Sequence, residues 1–330
     1  MVYKTYSFNN ADIKINGRGY VENDSLVLPW SYSGFSFLFR GSRLVLGFDA
    51  FSDEMPAYIK VTIDGVSAKY GISDGKEVVV TPLMAEGLHT ASVIRLTEGT
   101  SPLRVTSVKV NGNDPAIIAK APEKKLKIEF IGDSITCGYG IDAPSDVSVF
   151  NTYEEDCTLT YAWECASILG ADVSFAGASG KGIVANCNGD RSDMTLRQAF
   201  VYKNRQGGEW DHSSFTPDCV VVNAGTNDAW GGVKDDEFCE TAKTFLGEIR
   251  KKYPHAAILW AYGIMDTTKI SAVEKAVSSV KETDGKVFFL PLECMSKFVE
   301  ELGGAGHPSV YTSKRVGPIL AAKIKDILSL

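Results

Sequence analysis

The chain has 330 residues, 44% of them hydrophobic and 23% charged, ordinary globular values that exclude disordered, collagen-like and coiled-coil architectures. At roughly 150 residues per domain, this length suits two domains or one large one. Against 34 Lys and Arg stand 41 Asp and Glu, a net charge of -7, and a field of that sign repels phosphate backbones, so nucleic acid is not an expected partner.

Residues 1–10 show no basic stretch leading into an apolar run, so as written the sequence reads as cytoplasmic, or as secreted if an export signal has been removed. The first 115 or so residues read as strands. Ile59, Val61 and Ile63 alternate with Lys60 and Thr62 and then meet Asp64-Gly65, a strong hairpin dipeptide. Residues 78–80, 90–96 and 105–110 predict further strands between Gly- and Pro-bearing turns. Short strands at this spacing, with no helical period among them, predict a β-sandwich or jelly roll over residues 1–115. Residues 116–125 mix turn formers with charge and are expected to be a linker.

From residue 126 the pattern changes to alternating strands and helices. Strands are expected over 126–131, 171–175, 219–223, 257–262 and 287–290, and helices over 159–169, 235–252, 270–281 and from about residue 312. That order predicts a parallel sheet covered by helices on both faces, an α/β domain spanning 126–330. The longest apolar run, 256–265, is far short of the ~20 residues that cross a bilayer, so no membrane partner is expected. Seven cysteines, odd in number and without a C-x-x-C pair, fit neither a disulfide framework nor a zinc site; they are expected to be reduced and mostly buried.

In sheets of this kind ligands bind beyond the carboxyl ends of the strands, so the residues following each strand are the ones to inspect. The first strand runs into Gly132-Asp133-Ser134, placing a serine at a strand-to-helix turn. After the second comes Gly177-Ala178-Ser179-Gly180-Lys181-Gly182, whose glycines let main-chain N-H groups approach a ligand. Gly225-Thr226-Asn227-Asp228 follows the third and offers a carboxamide, with Trp230 just beyond as a stacking platform for a sugar ring or as a core or rim residue. A serine nucleophile also needs a base and donors for the oxyanion. Of the four histidines, His89 lies among the strands, His212 in a polar stretch and His255 at the wrong edge of the sheet; His307 alone sits in a late loop suited to reach Ser134.

Each signal has a plain alternative, since Gly-Asp-Ser occurs by chance in roughly one chain in ten of this length and Ser134 alone could be a helix cap. The ordered set is more specific than its parts. Gly71-Ile72-Ser73-Asp74-Gly75 matches the G-x-S-x-G elbow but joins two strands and precedes no helix, so it is expected to be a hairpin turn. Asn23-Asp24-Ser25 matches the glycosylation pattern and carries little weight without an export signal.

Ile131-Gly132-Asp133-Ser134-Ile135-Thr136, Ser179-Gly180, Gly225-Thr226-Asn227-Asp228 and His307-Pro308-Ser309 resemble, in order and spacing, the motif blocks of the SGNH or GDSL hydrolases. The front region, with Leu28-Pro29-Trp30, Arg40-Gly41-Ser42 and Gly87-Leu88-His89-Thr90, is similar to the jelly roll that precedes the hydrolase in family two of the carbohydrate esterases. This resemblance implies a three-layer SGNH domain behind a jelly roll, and an O-acetyl esterase acting on acetylated xylan, glucomannan or their oligosaccharides. It implies Ser134 as nucleophile and His307 as base. The oxyanion hole would be the Ser134 N-H, the Gly180 N-H and the Asn227 side chain, with no metal or cofactor. Trp230 and Asp133 are the residues expected to bind substrate. Most SGNH enzymes have an Asp three residues before the histidine, where this chain has Gly304. The resemblance therefore carries over a Ser-His dyad, with a main-chain carbonyl of 303–305, or else a distant acid such as Glu301 or Asp284, orienting the base. Two further readings are an acyltransferase to sugar hydroxyls and a catalytically silent carbohydrate-binding protein. Oligomeric state is left open.

Overall fold

In a computed structural model of the chain, the described residues are 2–9, 12–50, 55–73, 75–99, 103–296 and 298–330, apart from the side chains of residues 76 and 77. The chain divides into two units, residues 1–123 and 124–330.

The first unit is a jelly-roll-like β-sandwich. Its strands, in chain order, are β1 (Val2–Tyr6), β2 (Lys14–Asn16), β3 (Tyr20–Glu22), β4 (Ser25–Leu28), β5 (Gly34–Gly41), β6 (Arg43–Ala50), β7 (Ala57–Ile63), β8 (Val66–Ile72), β9 (Gly75–Val80), β10 (Gly87–Arg95), β11 (Leu103–Gly112) and β12 (Ala116–Lys120). One sheet runs β3-β4-β11-β6-β9 with β1 on β11, the other β12-β5-β10-β7-β8 with β2 on β5. Alternation builds the core. Phe35, Phe37 and Phe39 point inward from β5 and meet Leu44, Leu46 and Phe48 from β6, while Arg40, the next residue of β5 after Phe39, faces water. Each such buried side chain contributes about 1.5–3 kcal/mol.

Two expectations change here. Residues 116–120, expected as part of a linker, form β12, which pairs antiparallel with β5 and so belongs to the sandwich. β8, ending at Ile72, and β9, beginning at Gly75, form no hairpin, because β8 pairs with β7 in one sheet whereas β9 pairs with β6 in the other; Asp74 between them lies outside the described residues. The Asp64-Gly65 turn does join β7 to β8, with φ of 50° and 83° at its two residues. Asn23 and Asp24, also at positive φ, make the tight turn between β3 and β4.

The second unit contains β13 (Leu126–Gly132), α1 (Ser134–Cys137), α2 (Tyr161–Leu169), β14 (Ala171–Gly177), α3 (Leu196–Val201), a small hairpin of β15 (Tyr202–Asn204) and β16 (Gly207–Glu209), β17 (Cys219–Asn223), α4 (Thr226–Trp230), α5 (Asp235–Lys252), β18 (Ala257–Tyr262), α6 (Ile270–Lys281), β19 (Val287–Pro291) and α7 (Val310–Leu328). Its parallel sheet has the order β14-β13-β17-β18-β19. Because β13 lies between β14 and β17, successive connections leave it in opposite directions, and the crevice that opens there is where such sheets bind ligands. Val220 and Val222 of β17 and Trp260 of β18 pack with α3, α5 and α6 on one face. α2 and α7 pack together and touch strands of the same sheet.

Helix α5 has Asp235, Asp236 and Glu237 in its first turn and Arg250, Lys251 and Lys252 in its last, each charge opposing the helix dipole. Among the described residues no helix is long and apolar enough to cross a membrane. All seven cysteines are free thiols, five of them buried; Cys187 and Cys294 are exposed.

Candidate active site

Ser134, Gly180 and Asn227 stand just beyond the carboxyl ends of three adjacent strands, β13, β14 and β17. Ser134 is the first residue of α1, and Asp133 caps that helix by accepting the Ile135 N-H at 3.1 Å. His307 arrives from the loop after β19. Its Nε2 lies 2.9 Å from Ser134 Oγ, and its Nδ1 lies 3.1 Å from the Ala305 carbonyl. A carbonyl can only accept, so Nδ1 carries the proton and Nε2 is left free to receive the serine O-H.

The carbonyl is held in place by its own loop. Ala305 takes a left-handed φ of 53°, a conformation that costs an L residue roughly 1–2 kcal/mol. Its N-H donates to the Val147 carbonyl at 2.7 Å, and the Gly304 N-H donates to the Gly140 carbonyl at 2.8 Å. At the Gly140 contact a Cβ would stand 2.6 Å from the Gly304 carbonyl oxygen, so a side chain there would force the two loops apart. Within the histidine loop the Gly303 N-H bonds the His307 carbonyl at 2.7 Å. Ser309 then caps α7, accepting the N-H groups of Tyr311 and Thr312. Both acids considered for the third position are engaged elsewhere. Glu301 pairs with Arg315 and accepts the Ser296 N-H, and Asp284 pairs with Arg250.

The Asn227 carboxamide is fixed by two acceptors, donating from Nδ2 to Asp133 Oδ2 at 2.9 Å and to the Lys181 carbonyl at 3.1 Å. Asp133, expected to bind substrate, holds groups of the protein itself. It is only 1% exposed, and its two oxygens are taken by Ile135 and Asn227. Burial pushes its pKa up to about 7, an effect that the Ile135 N-H opposes and the nearby Asp228 charge reinforces. Asp228 is also buried, which raises its pKa. Its carboxylate accepts the N-H groups of Ile183, Val184 and Ala185, tying down the chain that follows Gly180. Gly180 itself has φ of 75° and accepts the Cys187 N-H at 2.9 Å. Trp230, 54% exposed, ends the short helix in which Asn227 is the second residue.

Sequence reasoning missed Asp228, whose only signal was an acid next to Asn227 at a strand end, and Tyr139. The Tyr139 ring packs against His307, with centroids 4.6 Å apart and the rings tilted by 39°, and Phe150 stacks on Tyr139 at 3.8 Å. Of the other histidines, His89 pairs with Asp64 within the sandwich, His212 is buried with Nδ1 3.0 Å from the Tyr253 hydroxyl, and His255 is exposed before β18. Taken by itself, neither unit brings three His, Cys, Asp or Glu ligand atoms together among the described residues. A serine made nucleophilic by a neutral imidazole, beside oriented N-H donors, can attack a carboxylic ester and support the oxyanion that forms.

Residues 130–289 match the GDSL-like Lipase/Acylhydrolase family. The chain is 30% identical over 258 residues to the cellulase/esterase CelE of Acetivibrio thermocellus, covering 74% of this chain but only 31% of that protein. It is 29% identical over 265 residues to an acetylxylan esterase / glucomannan deacetylase of Cellvibrio japonicus, covering 76% of this chain and 71% of that one. Among solved structures, a family two carbohydrate esterase from Clostridium thermocellum in complex with cellohexaose superposes with a TM-score of 0.88 at 26% identity, over 96% of this chain and 99% of that chain.

Proposed function

We propose that this GDSL-like lipase/acylhydrolase, built on the fold of the family two carbohydrate esterases, removes O-acetyl groups from plant polysaccharides such as xylan or glucomannan, or from their oligosaccharides. The observation that carries the reading is the 2.9 Å contact between His307 Nε2 and Ser134 Oγ, with Nδ1 already committed to a carbonyl. The acetylxylan esterase / glucomannan deacetylase relative supports the substrate class.

In this reading Ser134 Oγ attacks the acetyl carbonyl as its proton passes to His307 Nε2. The oxyanion is held by the N-H groups of Ser134 and Gly180 and by Asn227 Nδ2. Both Asn227 N-H groups have acceptors in the free protein, so the oxyanion must compete for one of them, and a charged oxygen outcompetes the Lys181 carbonyl. The intermediate collapses, the sugar oxygen leaves with the proton from His307, and an acetyl ester remains on Ser134. Water, deprotonated by His307, attacks the acetyl carbonyl, and the bond to Ser134 Oγ breaks as His307 returns the proton to that oxygen and acetate leaves. Every step runs on groups of residues 124–330. Trp230, exposed one helical turn beyond Asn227, serves as a platform for a sugar ring.

Acetate release from acetylated xylan, glucomannan and pectin tests the proposal. Release from the first two is expected, and a purified, folded enzyme that frees acetate from none of the three would refute it. Product analysis with an added acceptor sugar separates hydrolysis from acyl transfer, since a transferase would move acetyl to the acceptor in preference to water.

A further inference from the structure

We infer that Tyr139 is a positioning residue for the base, holding the His307 ring in its working plane and stabilising the imidazolium formed as Ser134 gives up its proton. The inference rests on the Ser134-His307 reading above and explains how that pair works with a carbonyl where a Ser-His-Asp triad has a carboxylate.

A carboxylate behind a catalytic histidine does two things: it fixes the ring, and its charge favours the imidazolium. The Ala305 carbonyl, 3.1 Å from Nδ1, does the first in part, because hydrogen bonds at Nδ1 and Nε2 hold the edge of the ring and give its faces no support. As a dipole without net charge, it does less of the second. Tyr139 meets both needs. Its ring centroid is 4.6 Å from that of His307 at an interplanar angle of 39°, inside the range over which an aromatic face attracts a cation. Phe150 stacks on Tyr139 at 3.8 Å and 11°, so the tyrosine ring is itself held by a second aromatic ring.

The backbone ties this ring to both partners of the dyad. The Tyr139 N-H donates to the Ser134 carbonyl at 3.1 Å, so the ring is carried on the turn that presents the nucleophile. The next residue, Gly140, accepts the Gly304 N-H, and Val147 of the same loop accepts the N-H of Ala305, the residue whose carbonyl holds Nδ1. One loop therefore supplies the face of the imidazole and anchors the acceptor at its edge.

The test replaces Tyr139 by Leu, by Phe and by Phe carrying one, two or three ring fluorines, which drain the π face with little change in shape. Each variant is assayed for acetate release from the substrate that the unsubstituted enzyme cleaves. A wild-type enzyme inactive on every ester would defeat the hydrolase reading itself and is thus distinguishable from failure of this inference. Tyr139→Leu is expected to lower kcat about tenfold with KM changed less than twofold. Tyr139→Phe should retain at least a third of kcat, and kcat should fall step by step with fluorination. A Tyr139→Leu enzyme with unchanged kcat, a loss confined to KM, a Tyr139→Phe enzyme as poor as Tyr139→Leu, or a flat fluorine series would each overturn the inference. Should the leucine variant fail to fold, the phenylalanine and fluorinated series decides alone.

Discussion

Each unit fixes a histidine at both ring nitrogens, and the two arrangements differ in one respect that decides their chemistry. In the sandwich, His89 Nδ1 lies 2.6 Å from Asp64 Oδ2 and Nε2 lies 2.9 Å from the Ala85 carbonyl. Both partners only accept, so the ring needs two N-H groups to satisfy them, which is the charged form. Burial works against that charge, but the bonds from Asp64 and Ala85 outweigh it and raise the His89 pKa, while the His89 bond lowers that of Asp64. In the α/β unit, His307 meets one acceptor and one hydroxyl, a set that the neutral ring satisfies. His89 has the better acid behind it and cannot be a base; His307 has only a carbonyl behind it and is ready to be one. The partner at the second nitrogen, more than the strength of the group at the first, decides whether an imidazole is available.

The sharpest way to break this comparison is to remove each ring in turn. His307→Ala should lower kcat for ester hydrolysis by at least about 10³, the scale seen when a member of such a unit is lost, whereas His89→Ala should leave hydrolysis of a small aryl acetate within twofold of the parent. Similar losses in both variants would erase the distinction. Asn227→Ala should cost about 10²–10³ in kcat, the usual loss for one oxyanion donor; a change in KM alone would make Asn227 a substrate-binding residue instead.

Asp133→Asn sharpens the account at the oxyanion side. Asparagine has one acceptor where Asp133 uses two, so one of the Ile135 and Asn227 N-H bonds is lost, and kcat is expected to fall about tenfold. Stability gives a second readout. The folded pKa of Asp133, near 7, lies above the ordinary carboxylate value near 4, so folding favours its protonated form. Its stabilising contribution is whole below about pH 4 and is lost as pH rises through 7. The melting temperature of the parent relative to Asp133→Asn should accordingly fall between pH 4 and 8. A difference that stays level across that range would show that Asp133 is already ionised at the low end. The smallest effects are expected from Glu301→Gln and Asp284→Asn, each changing kcat less than tenfold. A larger loss in either, with the fold intact, would restore a carboxylate to the mechanism.

What the sequence made legible follows from locality. The bounds of β17, α5, β18 and α6 were readable because each is signalled within its own span, α5 by acids in its first turn and bases in its last. Ser134, Gly180 and Asn227 were readable because a parallel sheet puts strand ends at one edge. The sandwich was harder. A Gly-rich turn signals a reversal but not which sheet the next strand joins, so Gly71–Gly75 read as a hairpin although β9 pairs with β6. Residues 116–120 read as linker because their partner, β5, lies far away in sequence. That Asp133 bonds Asn227 was not readable, because the two are 94 residues apart in sequence. Nothing in Thr136-Cys137-Gly138-Tyr139 reveals that the tyrosine faces a histidine 168 positions later, since that contact is made by the docking of two loops.

The most direct measurement is fluorophosphonate labelling of the whole enzyme with mapping of the labelled peptide, run beside acetate release. The account predicts one label, on Ser134, acetate release that stops as labelling completes, and a Ser134→Ala enzyme that folds, takes no label and keeps less than a few per cent of activity. A labelled residue other than Ser134, or acetate release that persists in Ser134→Ala, would contradict it.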